Sequence, residues 1–581
     1  MPEPPRTPPT PLPPRTPSTP RTSWGPRASW GPRARGAAWR RRTARAGAAA
    51  VLALALTAVG GCADGDGDGD GGGRETATAS PGERTGTTTP PPLTTTPETT
   101  PAPPARRVPP PATIPSVREA DTVAGDGWRP GKGGRIVADP GSQVADEARM
   151  LAGELGMATG RGPARRGDLE LVLDRDHPGG KEAYTLTVRD GRARITGSTD
   201  AGVFYGTRTV RQAVRSAGRL PDGEIRDRPD RPQRGLHLDT ARKHFDAAWI
   251  EARLREMADL KLNQLALHFS DDQGFRIESE THPEVVSEQA LSKAEVRRIV
   301  RLARRLHITV IPELDSPGHL GAVLRAHPDL QLRNAAGTPV TGAVDISLPG
   351  SARIVDDLVR ELAPLFPGRY WHLGGDEYRA LTVTDPEASY PHLAAAARKR
   401  YGPRATVQDL ATGWLNDRAA VVTELGKRPK AWNDGFFRGG VVRPDRAFEI
   451  EYWTGKEIGA RPPAEYLREG WTVVNLNDEY LYYVLGQPNQ FVYPTGERIY
   501  REWSPAVLRG TGPVPAGLDT GPGRVPGARL AVWGDIPGAQ TAQQVADGIR
   551  LPLTALAQRL WDPARPRLSW PAFVSLADRL D

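Results

Sequence analysis

Cysteine is almost missing from this chain: Cys62 is the only one in 581 residues. No internal disulfide can form, and no cysteine-based metal cluster is available. The first 61 residues are nearly without acid, with ten Arg set against Glu3 alone. That leader carries +9 of a total of +8, so the remainder of the chain carries −1. The basicity belongs to the leader, which excludes a nucleic-acid-binding surface as its cause. A long hydrophobic run is lacking too. Ala48 to Val59 is apolar but falls short of the roughly 20 residues a membrane-spanning helix needs.

What the leader does contain is an export layout. Arg40, Arg41, Arg42 and Arg45 precede the apolar run, which ends Val59-Gly60-Gly61-Cys62. Small residues ahead of a cysteine resemble a bacterial lipoprotein signal, in which the cysteine is lipidated and becomes the new N-terminus. The expectation is an exported lipoprotein held at Cys62 on the extracellular side of the cell membrane. Residues 1–61 form the signal segment. Residues 62–107 form a tether, with an Asp/Gly tract from Asp64 to Gly73 and then a Thr/Pro-rich stretch. Neither composition can bury a core, so the tether is expected to be disordered.

Folded sequence is expected from 108. Arg135 to Ala138 and Leu169 to Leu173 have strand composition, and Val144 to Leu155 has helical spacing. Tyr184, Leu186 and Val188 alternate with polar residues, and Asp190-Gly191 turns into Ala193 and Ile195, a hairpin signal. Ala201 to Val214 follows as a helix. These elements predict a small α+β domain over 108–228.

From 229 to 581 strands and helices alternate. The strand candidates are Gly235–Asp239, Gln264–Phe269, Thr309–Leu314, Tyr370–Leu373, Pro429–Trp432, Phe448–Trp453, Thr472–Leu476 and Arg529–Trp533. Asp246 caps one intervening helix, and Ser292 to Glu295 is a capping box for another. Eight strands alternating with helices predict a (β/α)8 TIM barrel, whose site lies at the C-terminal strand ends.

Those ends carry chemistry. They offer Asp271-Asp272, Glu313 and Asp315 with His319 beyond, Asp376-Glu377, Trp432-Asn433-Asp434, Trp453, Asn475 to Tyr482, and Trp533-Gly534-Asp535. Glycines 374 and 375 precede the adjacent acids. One member of such a pair can stay protonated while its neighbour stays ionised. Tryptophans beside carboxylates suit a sugar, whose C–H faces stack on aromatic rings while its hydroxyls meet the acids. The competing explanation is structural: tryptophans filling the barrel, and acids paired with arginines.

Four blocks in order are decisive: RGLHLD (Arg234 to Asp239), HFSDDQGFRIE (His268 to Glu278), IPELDSPGH (Ile311 to His319) and HLGGDE (His372 to Glu377). Together they resemble the family 20 glycoside hydrolases, the β-N-acetylhexosaminidases. The resemblance runs over about 108–581, including a small domain ahead of the barrel. It implies a retaining exo-glycosidase in which the 2-acetamido oxygen of the substrate is the nucleophile, so no enzyme nucleophile is needed. Glu377 is implied as general acid. Asp376 is implied to accept the acetamido N–H, and Tyr482 to donate to the acetamido carbonyl, with Tyr480 and Tyr483 as rivals. Asp271 and His319 are implied as a relay to Glu377. Arg234 is implied to bind ring hydroxyls, as is Asp535, which stands where many relatives have Glu. Trp432, Trp453 and Trp533 are implied as pocket walls.

The expected partners are N-acetylhexosamine-containing glycans, and the membrane through Cys62. No cofactor is expected, and no metal at His372, Asp376 and Glu377, whose spacing lacks a familiar ligand pattern. Two other readings remain at this point. The Asn-Leu-Asn-Asp of the seventh strand resembles members acting on β-1,6-linked poly-N-acetylglucosamine, which implies a depolymerase. A non-catalytic, glycan-binding surface lipoprotein on a decayed barrel is the other, and the intact acid pair argues against it.

Overall fold

The computed structural model describes residues 106–581. Cys62, the expected signal segment and nearly all of the expected tether lie outside the described residues. No helix among the described residues is long and apolar enough to cross a membrane.

A seven-stranded sheet occupies the chain from Glu119 to Asp227. Its centre is the hairpin Tyr184–Arg189 and Arg192–Gly197, paired in register around Asp190-Gly191. Both turn residues take positive φ, 53° and 68°, which matches the right-handed strand twist in a two-residue turn. Helices Ala145–Leu155 and Asp200–Ala217 accompany the sheet. The second starts at Thr199, whose side chain accepts the Gly202 N–H. The edge strand Glu119–Trp128 and its neighbour Leu220–Asp227 were not legible in the sequence. Each carries a run of polar, partly exposed residues in place of strict alternation.

The remaining chain closes into a parallel barrel. Its strands are Gln233–Asp239, Gln264–Ser270, Thr309–Leu314, Tyr370–His372, Arg428–Trp432, Glu449–Tyr452, Val473–Asn475 and Gly527–Trp533. The seventh pairs with the eighth at Asn475 and Ala528, and the eighth returns to the first through Val532 and Leu238. This is the expected (β/α)8 barrel. The Asp246 cap and the Ser292–Glu295 capping box both form, starting helices Ala247–Asp259 and Lys293–Arg305.

Strict alternation fails once. Between the fifth and sixth strands there is only the short 3₁₀ turn Asn433–Gly435 and a loop. Glycines 435, 439 and 440 and Pro444 in this stretch oppose a helix. After the seventh strand the chain makes one helical turn, Asp478–Leu481. It then runs as Tyr482–Val484 alongside the eighth strand, Tyr482 opposite Ala531. That short parallel addition carries Tyr482 into the barrel mouth.

Candidate active site

The fourth strand sets the geometry. Beyond His372 the backbone stays bonded to both neighbours: Ser316 N–H donates to Leu373 O, and Trp432 N–H to Gly374 O. The chain then turns through Gly374 at φ 69° and Gly375 at φ 98°. A Cβ on Gly374 would collide with the Asp315 carboxylate, so only glycine fits there. Gly375 N–H donates to Asp315 Oδ1 at 2.9 Å. Glu377 also sits at positive φ, 48°, and its N–H donates to Asp434 Oδ2 at 2.9 Å. The acid pair is thus clamped from two sides.

Glu377 is 41% exposed and Asp376 only 14%. The first is open to a leaving group and to water, and the second is sunk beneath it. Asp376 Oδ1 is buried without a hydrogen-bond partner. Burial, and then the neighbouring Asp315, hold the Asp376 carboxyl well above the usual range.

His319 links the pair to Asp271. Its Nδ1 lies 3.3 Å from Asp271 Oδ1, and its Nε2 lies 3.5 Å from Asp376 and 3.8 Å from Glu377. Burial opposes charge on this imidazole, but Asp271 and then Asp376 outweigh it, pushing the pKa up to about 10. Asp271 in turn stays well below the usual carboxylate range. Burial acts against its charge, and His319 and Arg242 overcome it. Asp271→Asn removes the largest influence raising the His319 pKa. The alkaline limb of kcat is therefore expected to move to lower pH, as a kcat–pH profile would show. The charged His319 of the native protein contributes stability fully below its unfolded pKa of about 6.5. That contribution is lost as pH rises through about 10, and thermal melts of Asp271→Asn should lack it.

Opposite the acids stands an aromatic wall. Trp432, Tyr482 and Trp533 cluster apart from the main core, with Trp453 packed on them. Tyr482 stacks on Trp453 at 5.6 Å and 7° and lies 5.8 Å from Trp533. Trp453 Nε1 donates to Asp434 Oδ1 at 3.0 Å, and Trp432 Nε1 to Glu313 Oε1 at 2.7 Å. The three tyrosines separate cleanly. Tyr480 bonds Glu502, and Tyr483 bonds Gln540 and stacks on Tyr493. Tyr482 alone joins the wall.

Arg234 is a correction. It sits near the start of the first strand, at the N-terminal end of the barrel, while the site is at the other end. Five residues of strand put it roughly 16 Å from Asp239. It is fully buried, with Glu182 at 2.9 Å, Arg231 O at 2.7 Å and Lys261 O at 3.0 Å. It therefore joins the barrel base to the small domain. The arginine in the mouth is Arg242, eight positions on and three past the end of the same block. It pairs with Asp239 at 3.0 Å and Asp271 at 2.8 Å, and its guanidinium lies 5.4 Å from the Trp533 ring centre. The signal for it was strand direction: the useful arginine follows Asp239, and Arg234 precedes it. Arg234→Ala removes one donor from Glu182, which keeps Asn263 and Tyr205, and takes the guanidinium from two carbonyls. The expected loss is about 1–3 kcal/mol of stability with KM unchanged, checked by denaturant melts beside steady-state kinetics.

Asp535 stands on the exposed rim beyond the eighth strand, as do the residues through Ala539. Asp434 was visible as a strand-end residue but had no assigned part. Its two bonds make it the support of both Glu377 and Trp453. Burial comes first among the causes that push its pKa up, to about 6.

A (β/α)8 barrel with adjacent acids facing an aromatic wall is a glycosidase architecture. The chain matches Glycosyl hydrolase family 20, catalytic domain, over residues 232–564, and domain 2 of the same family over 110–228. It belongs to glycosyl hydrolase family 20. A lacto-N-biosidase from Bifidobacterium bifidum is 30% identical over 479 residues, covering 81% of this chain and 41% of that protein. A β-N-acetylhexosaminidase from Cellulomonas fimi is 30% identical over 56% of this chain and 65% of its own length. The chain thus spans less than two thirds of these curated relatives. Among solved structures, the Streptomyces plicatus N-acetyl-β-hexosaminidase in complex with Thio-NAglucal superposes with a TM-score of 0.63 at 25% identity, covering 82% of this chain and 95% of that one. The β-N-acetylhexosaminidase of Streptomyces coelicolor A3(2) gives a TM-score of 0.64 at 23% identity, with 82% and 96% covered.

Proposed function

We propose that the protein is a retaining exo-β-N-acetylhexosaminidase acting by substrate-assisted catalysis on glycans with a terminal β-linked N-acetylhexosamine. The observation that carries this reading is the placement of both acids on one loop, facing an aromatic wall. An ordinary retaining enzyme sets its two carboxyls on opposite sides of the sugar, about 5–5.5 Å apart. Here Asp376, partly exposed beside Glu377, is the carboxyl that can accept an acetamido N–H, and Tyr482 has it as its first charged neighbour. The acetamido oxygen then attacks the anomeric carbon as Glu377 protonates the departing oxygen. Water activated by Glu377 opens the resulting oxazolinium ion. The hexosaminidases among the relatives support the same reading.

The test is product analysis on chitobiose, followed by proton NMR from the first turnover. N-acetylglucosamine should leave as the β anomer and mutarotate later. Absence of any monosaccharide, or an initial α anomer, would count against the reading.

A second reading has one observation in its favour. The rim Asp535–Ala539 is exposed, and Asp535 is one methylene shorter than the Glu of many family members. That leaves room beside the terminal sugar, and one relative is named for releasing a biose. Comparing 4-nitrophenyl N-acetylglucosaminide with 4-nitrophenyl lacto-N-bioside separates monosaccharide from disaccharide release.

We also propose that Cys62 is the lipidated N-terminus of an exported protein. The arginines, the apolar run and Val59-Gly60-Gly61-Cys62 support this. Cys62→Ala is expected to move the protein out of the membrane fraction or leave an unprocessed precursor. Unchanged partitioning would refute the anchor.

A further inference from the structure

Beneath the pocket the barrel interior is ionic. Parallel pairing sets Glu313 of the third strand beside His268 of the second and His372 of the fourth. Glu313 is fully buried. Its Oε1 accepts from Trp432 Nε1 at 2.7 Å and lies 3.1 Å from His372 Nδ1. Its Oε2 lies 3.0 Å from His237 Nε2 and 3.3 Å from His268 Nδ1. The other nitrogen of His268, Nε2, meets Asp271 Oδ2 at 2.7 Å. The remaining oxygen of Asp271 is the one that faces His319.

His268 therefore hydrogen-bonds Asp271 through Nε2 and has the Glu313 carboxylate 3.3 Å from Nδ1 as a charge contact. A neutral imidazole donates from only one nitrogen, and the imidazolium donates from both. Burial acts against the charge, yet Glu313 and Asp271 together hold the His268 pKa well above its ordinary value. Glu313 is held well below the usual carboxylate range: burial opposes its charge, and His372, His268 and His237 outweigh it. Below this layer Glu451 is balanced by Lys430 at 3.1 Å and by Arg529, so the column ends in paired charge.

We infer that Glu313 is a positioning residue for the reaction: with one oxygen it fixes Trp432 in the pocket wall, and with the other it sits 3.3 Å from His268, whose far nitrogen holds Asp271 toward His319. This rests on the proposed catalytic reading and extends it one layer below the substrate. The aromatic wall and the His319 relay, which also meet where Arg242 and His268 pack on Trp533, share this buried carboxylate. Aiming a relay from a packed strand restricts its geometry more tightly than a loop would.

Glu313→Gln keeps the volume and keeps an oxygen for Trp432, but removes the charge facing His268. With ¹⁵N-histidine labelling, wild-type His268 should show two protonated ring nitrogens. Glu313→Gln should show one, with no substrate present. The kinetic arm is a double-mutant cycle on kcat. Glu313→Gln alone is expected to lower kcat at least tenfold with KM changed less than threefold. Added to Asp271→Asn it should cost less than a further threefold, because both cut one line. Should Glu313→Gln fail to fold, His268→Gln makes the same cut while leaving Glu313 on Trp432, and the same cycle applies. An unchanged His268 spectrum, or full additivity with Asp271→Asn, overturns the inference. The spectrum is read without turnover. If no N-acetylhexosaminide is cleaved by the wild type, it is the catalytic reading that fails.

Discussion

Glu377→Gln is expected to reduce chitobiose hydrolysis by about 10²–10⁴-fold, the usual cost of losing a general acid. The amide keeps the size of the side chain, and the Asp434 contact is made by the backbone N–H of residue 377, so the loop has no reason to move. Activated aryl glycosides should lose much less in the first step, because their leaving groups need little protonation. The second step, in which Glu377 activates water, should then limit turnover, and an initial burst of phenol is expected. Stopped-flow release of 4-nitrophenol beside chitobiose assays checks both arms. Equal losses on the two substrates would remove Glu377 from the acid role.

The second large effect belongs to Asp376→Asn. Asp376 lies against Asp315 and 3.5 Å from His319. As the acetamido oxygen attacks, positive charge develops on the acetamido group; that charge favours ionisation of the Asp376 carboxyl, which burial and Asp315 otherwise oppose, and a carboxylate there is worth most at that moment. Removing one such preorganised interaction costs about 10²–10³-fold in kcat. Ground-state binding should change little, so kcat and kcat/KM should fall together. A thiazoline mimic of the bicyclic intermediate should bind the native protein far more tightly than the product sugar. It should lose most of that advantage in Asp376→Asn. Isothermal titration with both ligands measures this, and an undiminished advantage would contradict the role.

The barrel was legible because its strands are short apolar runs ended by turn residues, and their observed bounds fall within two residues of those expected. Two strands at one side of the small domain's sheet were not, since Glu119–Trp128 and Leu220–Asp227 are polar and half exposed. At the site, Asp376, Glu377, His319 and Asp271 come together from three of the quoted blocks, and Trp432, Trp453 and Trp533 meet from other strand ends. Arg234 did not, because a motif gives residue types without saying which end of a strand they occupy. Tyr482 was separable from Tyr480 and Tyr483 only once the one-turn helix and the short strand after it fixed where each ring points. The joint hold of Glu313 on Trp432 and His268 depends on three strands meeting in one layer, which no local pattern expresses.

The central claim is that the substrate supplies its own nucleophile, and a 2-fluoro glycoside with a good leaving group tests it most directly. Fluorine replaces the acetamido group, so nothing internal can attack the anomeric carbon. The account predicts no inactivation, no burst, and a protein of unchanged mass after prolonged incubation. A covalent glycosyl adduct on Asp376, Glu377 or any other carboxylate, seen by intact-protein mass spectrometry and located by peptide mapping, would contradict it.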